Sequence, residues 1–180
     1  MARTVDPMRH QARRLQILDA ALTCFAAHGY ERTTTALICR TAGIGSGTFF
    51  HYFPTKADVV TAIVTYGTQE TRTFFAAHDR DTDARGVIDA YVEHFLADAS
   101  DARLPGFVLM MASRMADPAV AGVLAADDAA VTTGLQPWVS AAQASGAVRG
   151  DVDAERLTRW LALLLDGFLG RVASDPDFSV

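Results

Sequence analysis

TTALICRTAGIGSGTFFHYFPTK, residues 34–56, encodes two short helices, a tight turn between them and a forced stop. Ala42-Gly43-Ile44 supplies the turn: Gly43 can take the positive φ of a sharp reversal, and Ile44 returns an apolar anchor toward a core. Pro54 ends the second helix, because its ring disfavours helical geometry at Phe53. Between these marks, Ser46, Thr48 and His51 are small or hydrogen-bonding groups on a helix short enough to lie in a DNA major groove. Gly45 and Gly47 let the backbone approach a partner closely, whereas Phe49 and Phe53 read as core. The outline is a helix-turn-helix.

The chain continues at once into a third helix. Thr55 and Asp58 stand at the spacing of a capping box, with Lys56 in the first turn. A lysine there opposes the helix dipole, which favours an anion such as a DNA phosphate nearby. Upstream, Leu15, Leu18, Leu22 and Phe25 recur at three- and four-residue steps, so a preceding helix ends at Gly29. Arg9, Arg13 and Arg14 precede or open it, as phosphate contacts or solvated charge.

From about Arg13 to about Val64, the sequence resembles the DNA-binding domain of the TetR/AcrR family of bacterial transcriptional regulators. The matching residues are Phe25, Gly29-Tyr30, Thr33-Thr34-Thr35, Ala42-Gly43-Ile44, Gly47-Thr48-Phe49-Phe50, Tyr52-Phe53 and Lys56. The resemblance implies DNA contacts from Thr34, Thr35, Gly45, Ser46, Gly47, Thr48, Phe50, His51, Tyr52 and Lys56. Two positions depart from the pattern. Phe50 stands where the family usually has a tyrosine whose hydroxyl reaches the DNA backbone, which shifts phosphate contact onto Tyr52, Lys56, Thr34 and Thr35. Leu37 stands at a usually polar place, either exposed or packed on the first helix.

The whole chain carries a formal charge of −5, at first sight adverse to nucleic-acid binding. Residues 1–56 nevertheless hold seven basic side chains (Arg3, Arg9, Arg13, Arg14, Arg32, Arg40, Lys56) against Asp6, Asp19 and Glu31, a net of +4, which leaves −9 for residues 57–180. That asymmetry fits a basic reading head on an acidic body that repels DNA. Half of the 180 residues are apolar, enough for a substantial core. No apolar run approaches the roughly 18 residues that cross a bilayer, and Met1-Ala2-Arg3-Thr4 lacks an apolar signal core. The expected place is the cytoplasm, with no membrane association. Cys24 and Cys39 lie in expected helices as buried apolar-like side chains rather than a disulfide.

Beyond Thr55 the pattern is helical throughout: a connecting helix to about Phe75, a polar loop from Asp79 to Arg85, then helices near 84–99, 104–115, 118–145 and 153–174. Pro137 is expected to kink or split the third of these near Gln136, and Asp151 and Asp153 stand ready to cap the last. The fold class is all-α, with a three-helix DNA-binding head at 1–56 and a helical effector-binding and dimerisation domain at 57–180. The last helix is apolar nearly all round from Trp160 to Gly170, so it needs burial on more than one face. The resemblance likewise implies homodimers joined by C-terminal helices, although many members have one further helix where this sequence reaches Val180.

A dimer would hold two reading helices about one DNA turn apart, matching a palindromic operator in double-stranded DNA. The resemblance also implies a small-molecule effector among the C-terminal helices. Candidate contacts are Tyr91, His94, Phe95, Phe107, Met110, Met111, Arg114, Trp138 and Trp160, since Met and aromatics suit an adaptable apolar cavity. His94 and Arg114, if buried, would each need a polar partner. An enzyme is not expected. His10, His28, His51, His78 and His94 are scattered, and no metal spacing, nucleophile motif or phosphate-binding glycine loop is present, so no metal or cofactor is called for. A helical interaction protein that kept the fold but lost specific DNA binding is the alternative, with Phe50 and Leu37 in its favour.

Overall fold

The computed structural model describes residues 6–79, 82–175 and 177–178, so Met1–Thr4 and part of the polar Asp79–Arg85 stretch lie outside it. The described residues form eight helices and no strand: α1 (Pro7–Arg32), α2 (Thr35–Thr41), α3 (Ser46–Tyr52), α4 (Lys56–Ala76), α5 (Ala84–Ala99), α6 (Leu104–Ala112), α7 (Pro118–Ala144) and α8 (Ala154–Ser174).

The first helix begins earlier than its apolar pattern indicates. Asp6 accepts a hydrogen bond from the Met8 amide and Pro7 takes the first helical position, so Arg9, Arg13 and Arg14 belong to the opening turns rather than to a leader. The buried stripe is centred on Ile17, Ala21, Cys24 and Phe25, with Leu15 and Leu22 at its half-buried edges. Helical geometry breaks at Gly29, with φ 70° and ψ 177°. That region of backbone space is essentially closed to residues with a Cβ. Thr33 then closes the corner: its fully buried hydroxyl donates to the carbonyls of Cys24 and Gly29 at 3.0 and 2.7 Å.

Local chemistry sets the next three helices, with the Gly43 turn and the Thr55–Asp58 box as the sequence predicts and a Thr34 cap besides. Thr34 caps α2 by accepting from the Leu37 amide. At its other end the Gly43 amide donates to Arg40 and the Ile44 amide to Cys39, with Gly43 at φ 64°, a left-handed helix stop. The Thr55–Asp58 capping box opens α4. Phe49 and Phe53 are buried, and Leu37 packs half-buried against the same cluster. Both cysteines are buried and free.

Packing continues without a break across position 56. Val59, Val60 and Ala62 at the start of α4 join the core of the head, and so do Phe107, Met110 and Met111 of α6. Farther along, α4 packs on α7, where Gly134 leaves room for the Phe75 ring; a Cβ there would lie 2.1 Å from it. Two further clusters, around Val87, Trp138 and Val139 and around Tyr91, Leu135 and Leu165, fill the body.

Three expectations about helices need correction. α7 runs unsplit through Pro137. Pro137 and Thr133, whose carbonyl loses its partner, are both exposed to water, while Leu135, Trp138 and Val139 on the opposite side are buried and hold the helix together. α6 stops at Ala112, and Arg114 turns back toward α1. Asp153 caps α8, whereas Asp151 pairs with Arg149.

Candidate nucleic-acid interface and effector cavity

On α3, Ser46, Gly47, Phe50 and His51 are exposed and Thr48 and Tyr52 half-buried, with Phe49 turned inward as the anchor. Thr34 and Gly45 are exposed beside them, and Thr35 is half-buried. A Cβ at Gly45 or Gly47 would meet no protein atom within 4 Å, so the glycines answer no internal packing need and leave space on the outer surface. Phe50 is 52% exposed, an apolar ring on the outside of the short helix. His10 on α1 adds a group that sequence reasoning missed, its ring 4.6 Å from that of Tyr52 and 6.3 Å from that of His51. Arg9, Arg13, Arg32 and Arg40 are exposed, and Arg14 lies over the Phe53 ring.

Lys56, expected as a phosphate contact, is held from within the chain. Its ammonium donates to the carbonyls of Tyr30 and Thr33 at 2.8 and 3.0 Å and sits 4.0 Å from the centre of the Tyr30 ring. It binds the start of α4 to the corner after α1, offsetting the dipole cost with carbonyl ends 23 and 26 residues away. That ring also meets Arg114, 3.7 Å from its centre, which pairs with Glu31 and Asp117. The polar partners of Arg114 are thus internal.

Arg114 is one of three attachments of α6 to α1. At the other end Arg103 donates to Asp19 at 2.7 Å and to the Thr23 hydroxyl at 3.0 Å while chelating Asp101. Midway, Gly106 lies directly on the Ala26 carbonyl, where a Cβ would come within 2.3 Å of the oxygen.

The other side of α6 faces a cavity of about 960 Å³ walled by α1, α4, α5, α6, α7 and α8. Its apolar surface includes Leu22, Ile63, Phe107, Val108, Met111 and Leu124, and carboxylates interrupt it at Glu70, Asp98, Asp101, Asp127 and Asp166. Of the sequence candidates, His94, Phe107 and Met111 line it. The others lie elsewhere. Tyr91 is packed against Phe74 and Phe75, Phe95 against Phe168, Met110 in the cluster on α1, and Trp138 against Val87 and Val139. Arg114 is the α1 tether, and Trp160 is on the outer face of α8 with Arg156 over its ring. His94 stacks on Phe74 and stands 3.7 Å from Asp98.

Burial pushes the Asp127 carboxyl above its ordinary range, against the hydrogen bond it accepts from Thr68 at 2.7 Å, and Asp128 adds to the rise. Burial likewise raises Asp166, helped by Asp128 and Asp127. The Tyr91 phenol is pushed up to about 12, first by burial and then by the surrounding acids. Sequence reasoning missed these carboxylates; the available signal was acids set inside apolar helices, Asp166 among leucines and Asp127-Asp128 among alanines.

A second groove, between α7 and α8, includes Thr132, Gln136, Arg159, Trp160 and Leu163. Leu163 of that groove and Leu164 outside it are 68% and 70% exposed, on a helix where Ala162 and Leu165 are buried.

Residues 17–63 match bacterial regulatory proteins of the tetR family. The chain is 28% identical over 166 residues to the HTH-type transcriptional repressor Rv1474c of Mycobacterium tuberculosis, spanning 92% of this chain and 85% of that one. It is 29% identical over 162 residues to the HTH-type transcriptional repressor AcnR of Corynebacterium jeikeium, spanning 89% and 82%. Among solved structures, Salmonella enterica GusR is similar with a TM-score of 0.73 at 28% identity, covering 96% of this chain and 88% of its own.

Proposed function

We propose that this chain, which belongs to the TetR family of bacterial regulatory proteins and is a DNA-binding transcriptional regulator, works as a homodimeric repressor released from a palindromic operator by a small molecule. The observation that carries the reading is the clamping of α6, one wall of the cavity, onto α1, the helix that supports the reading head. A ligand that shifts α6 thereby shifts α1 and, through Lys56 and Tyr30, the start of α4. Coupling of about 1–3 kcal/mol would change operator affinity about 5- to 150-fold.

Ser46, Thr48 and His51 would read bases, while Thr34, Thr35, Tyr52 and the exposed arginines would hold phosphates. Lys56 would support that surface from behind. The exposed Trp160, Leu163 and Leu164 support pairing of two chains through α8, and two heads about 34–36 Å apart would match half-sites one DNA turn apart. The site of action is the cytoplasm, where the DNA is; no helix of the described residues is long and apolar enough to cross a membrane.

The test is a fluorescence-anisotropy titration of the full chain with DNA flanking its own gene, over a salt series. Tight binding at a palindrome with a steep salt dependence is expected. Absence of such binding at every nearby palindrome would refute the reading and favour the interaction protein for which the exposed Phe50 argues.

A further inference from the structure

We infer that the molecule taken by the α6 cavity is a lipophilic cation, an apolar and largely aromatic body bearing one positive charge. The inference rests on the effector reading above and adds a chemical class to it. The volume of about 960 Å³ admits a molecule of several rings, and the apolar surfaces of α1, α4, α6 and α7 offer it hydrophobic contact. Tyr66 and Phe107 add ring surfaces to the lining.

Charge then selects among apolar ligands. Among the described residues, five carboxylates line the cavity and no lysine or arginine does. Two of the five have a partner within the chain: Asp101 has Arg103, which holds it below the usual carboxylate range, and Asp98 has the His94 imidazole at 3.7 Å, a charge partner when protonated. The other three are not so matched among the described residues. Asp127 accepts the Thr68 hydroxyl, and the pull of Arg72 on it is weaker than burial and the push of Asp128. Asp166 feels only burial and the neighbouring Asp128 and Asp127. Glu70 stands beside the Tyr66 phenol, whose ionisation is made harder first by burial and then by that carboxylate.

These three project from α4, α7 and α8 onto one apolar space, so the cavity holds negative charge that the described residues leave unneutralised. A cation placed there relieves the burial cost at Asp127 and the repulsion among Asp127, Asp128 and Asp166, an anion increases them, and a neutral molecule gains apolar contact alone. A bare metal ion does not fit, since among the described residues no three His, Cys, Asp or Glu side chains converge to hold one.

Tetraphenylphosphonium and tetraphenylborate test the assignment, being rigid ions of nearly equal size and opposite charge. Calorimetric titration of the full chain with each is expected to show one phosphonium per chain, bound at least about tenfold more tightly than the borate. Asp127→Asn with Glu70→Gln is expected to weaken phosphonium binding at least about tenfold while the melting transition stays cooperative; the asparagine can still accept the Thr68 proton. Comparable borate binding, phosphonium affinity that survives the double substitution, or no phosphonium binding would each overturn the cationic class. Operator binding without either ion is measured in parallel. Its failure would count against the regulator reading, whereas a failed phosphonium titration with operator binding intact would count against the cation alone.

Discussion

Gly106→Ala perturbs the α6–α1 contact with a single methyl group. In the native packing its Cβ would stand 2.3 Å from the Ala26 oxygen, 2.9 Å from the carbonyl carbon and 3.1 Å from Cα, all backbone atoms of α1. Ordinary contact begins near 3.4 Å, so relief requires α6 to move off α1 by about 1 Å. Neither helix can yield by rotating a side chain, and Arg103 and Arg114 fix α6 at both ends. Overpacking of this kind costs about 1–3 kcal/mol of stability, which leaves a typical domain folded. Because the displacement occurs on the proposed path from ligand to reading head, the variant is expected to lose operator affinity without any ligand, by about 5- to 150-fold.

Urea denaturation followed by circular dichroism gives the first quantity, and anisotropy with labelled operator gives the second. Gly122→Ala serves as the control. It is an exposed position on α7 where a Cβ meets nothing within 4 Å, and there alanine is expected to stabilise by up to about 1 kcal/mol with operator affinity unchanged. If Gly106→Ala matched the wild type in both stability and affinity, the close approach of α6 to α1 and the transmission built on it would both be wrong.

Lys56→Met removes two charge-assisted hydrogen bonds to Tyr30 and Thr33, and is expected to lower unfolding free energy by about 1.5–3 kcal/mol in the same denaturation assay; unchanged stability would return Lys56 to the DNA surface. Phe50→Tyr adds a hydroxyl to an exposed ring, and is expected to tighten all operators by about 1 kcal/mol, near fivefold, with the salt slope of the anisotropy titration unaltered because no charge is added. Asp127→Asn removes a carboxylate whose folded-state pKa lies above its unfolded value. The native state pays for that ionisation above the raised pKa and is relieved of it on acidification, so the variant is expected to melt higher than the wild type at pH 7, with the difference shrinking as pH falls toward the ordinary carboxylate range. A difference that grew on acidification would contradict the assigned direction.

The head was legible because its determinants are local. A left-handed glycine, a capping box and a proline stop each act within four residues, and Gly43 and the Thr55–Asp58 pair take the expected forms. The carbonyl partners of Lys56 were not legible for the converse reason, since they are distant in sequence and nothing in its neighbourhood announces them. The cavity was legible only in part. Choosing bulky apolar side chains selects core and cavity alike, which is how Tyr91, Phe95, Met110 and Trp138 came to be grouped with Phe107 and Met111. What distinguishes the cavity is charge left over after the helices pack, a property of tertiary placement. Pro137 carries the same lesson, because its effect on α7 depends on which side of the helix water reaches.

The Tyr30 ring has a cation at each of two contacts, Lys56 from the head and Arg114 from the body, and the two draw on one cloud of π electrons. Their contributions are therefore not separable. Withdrawing electron density from the ring, as graded fluorination of the tyrosine does, loosens both holds together and turns a mechanical joint into a tunable one. The gearing between the two halves of the molecule can in this way be set by the electronics of a single side chain, with no change in its shape.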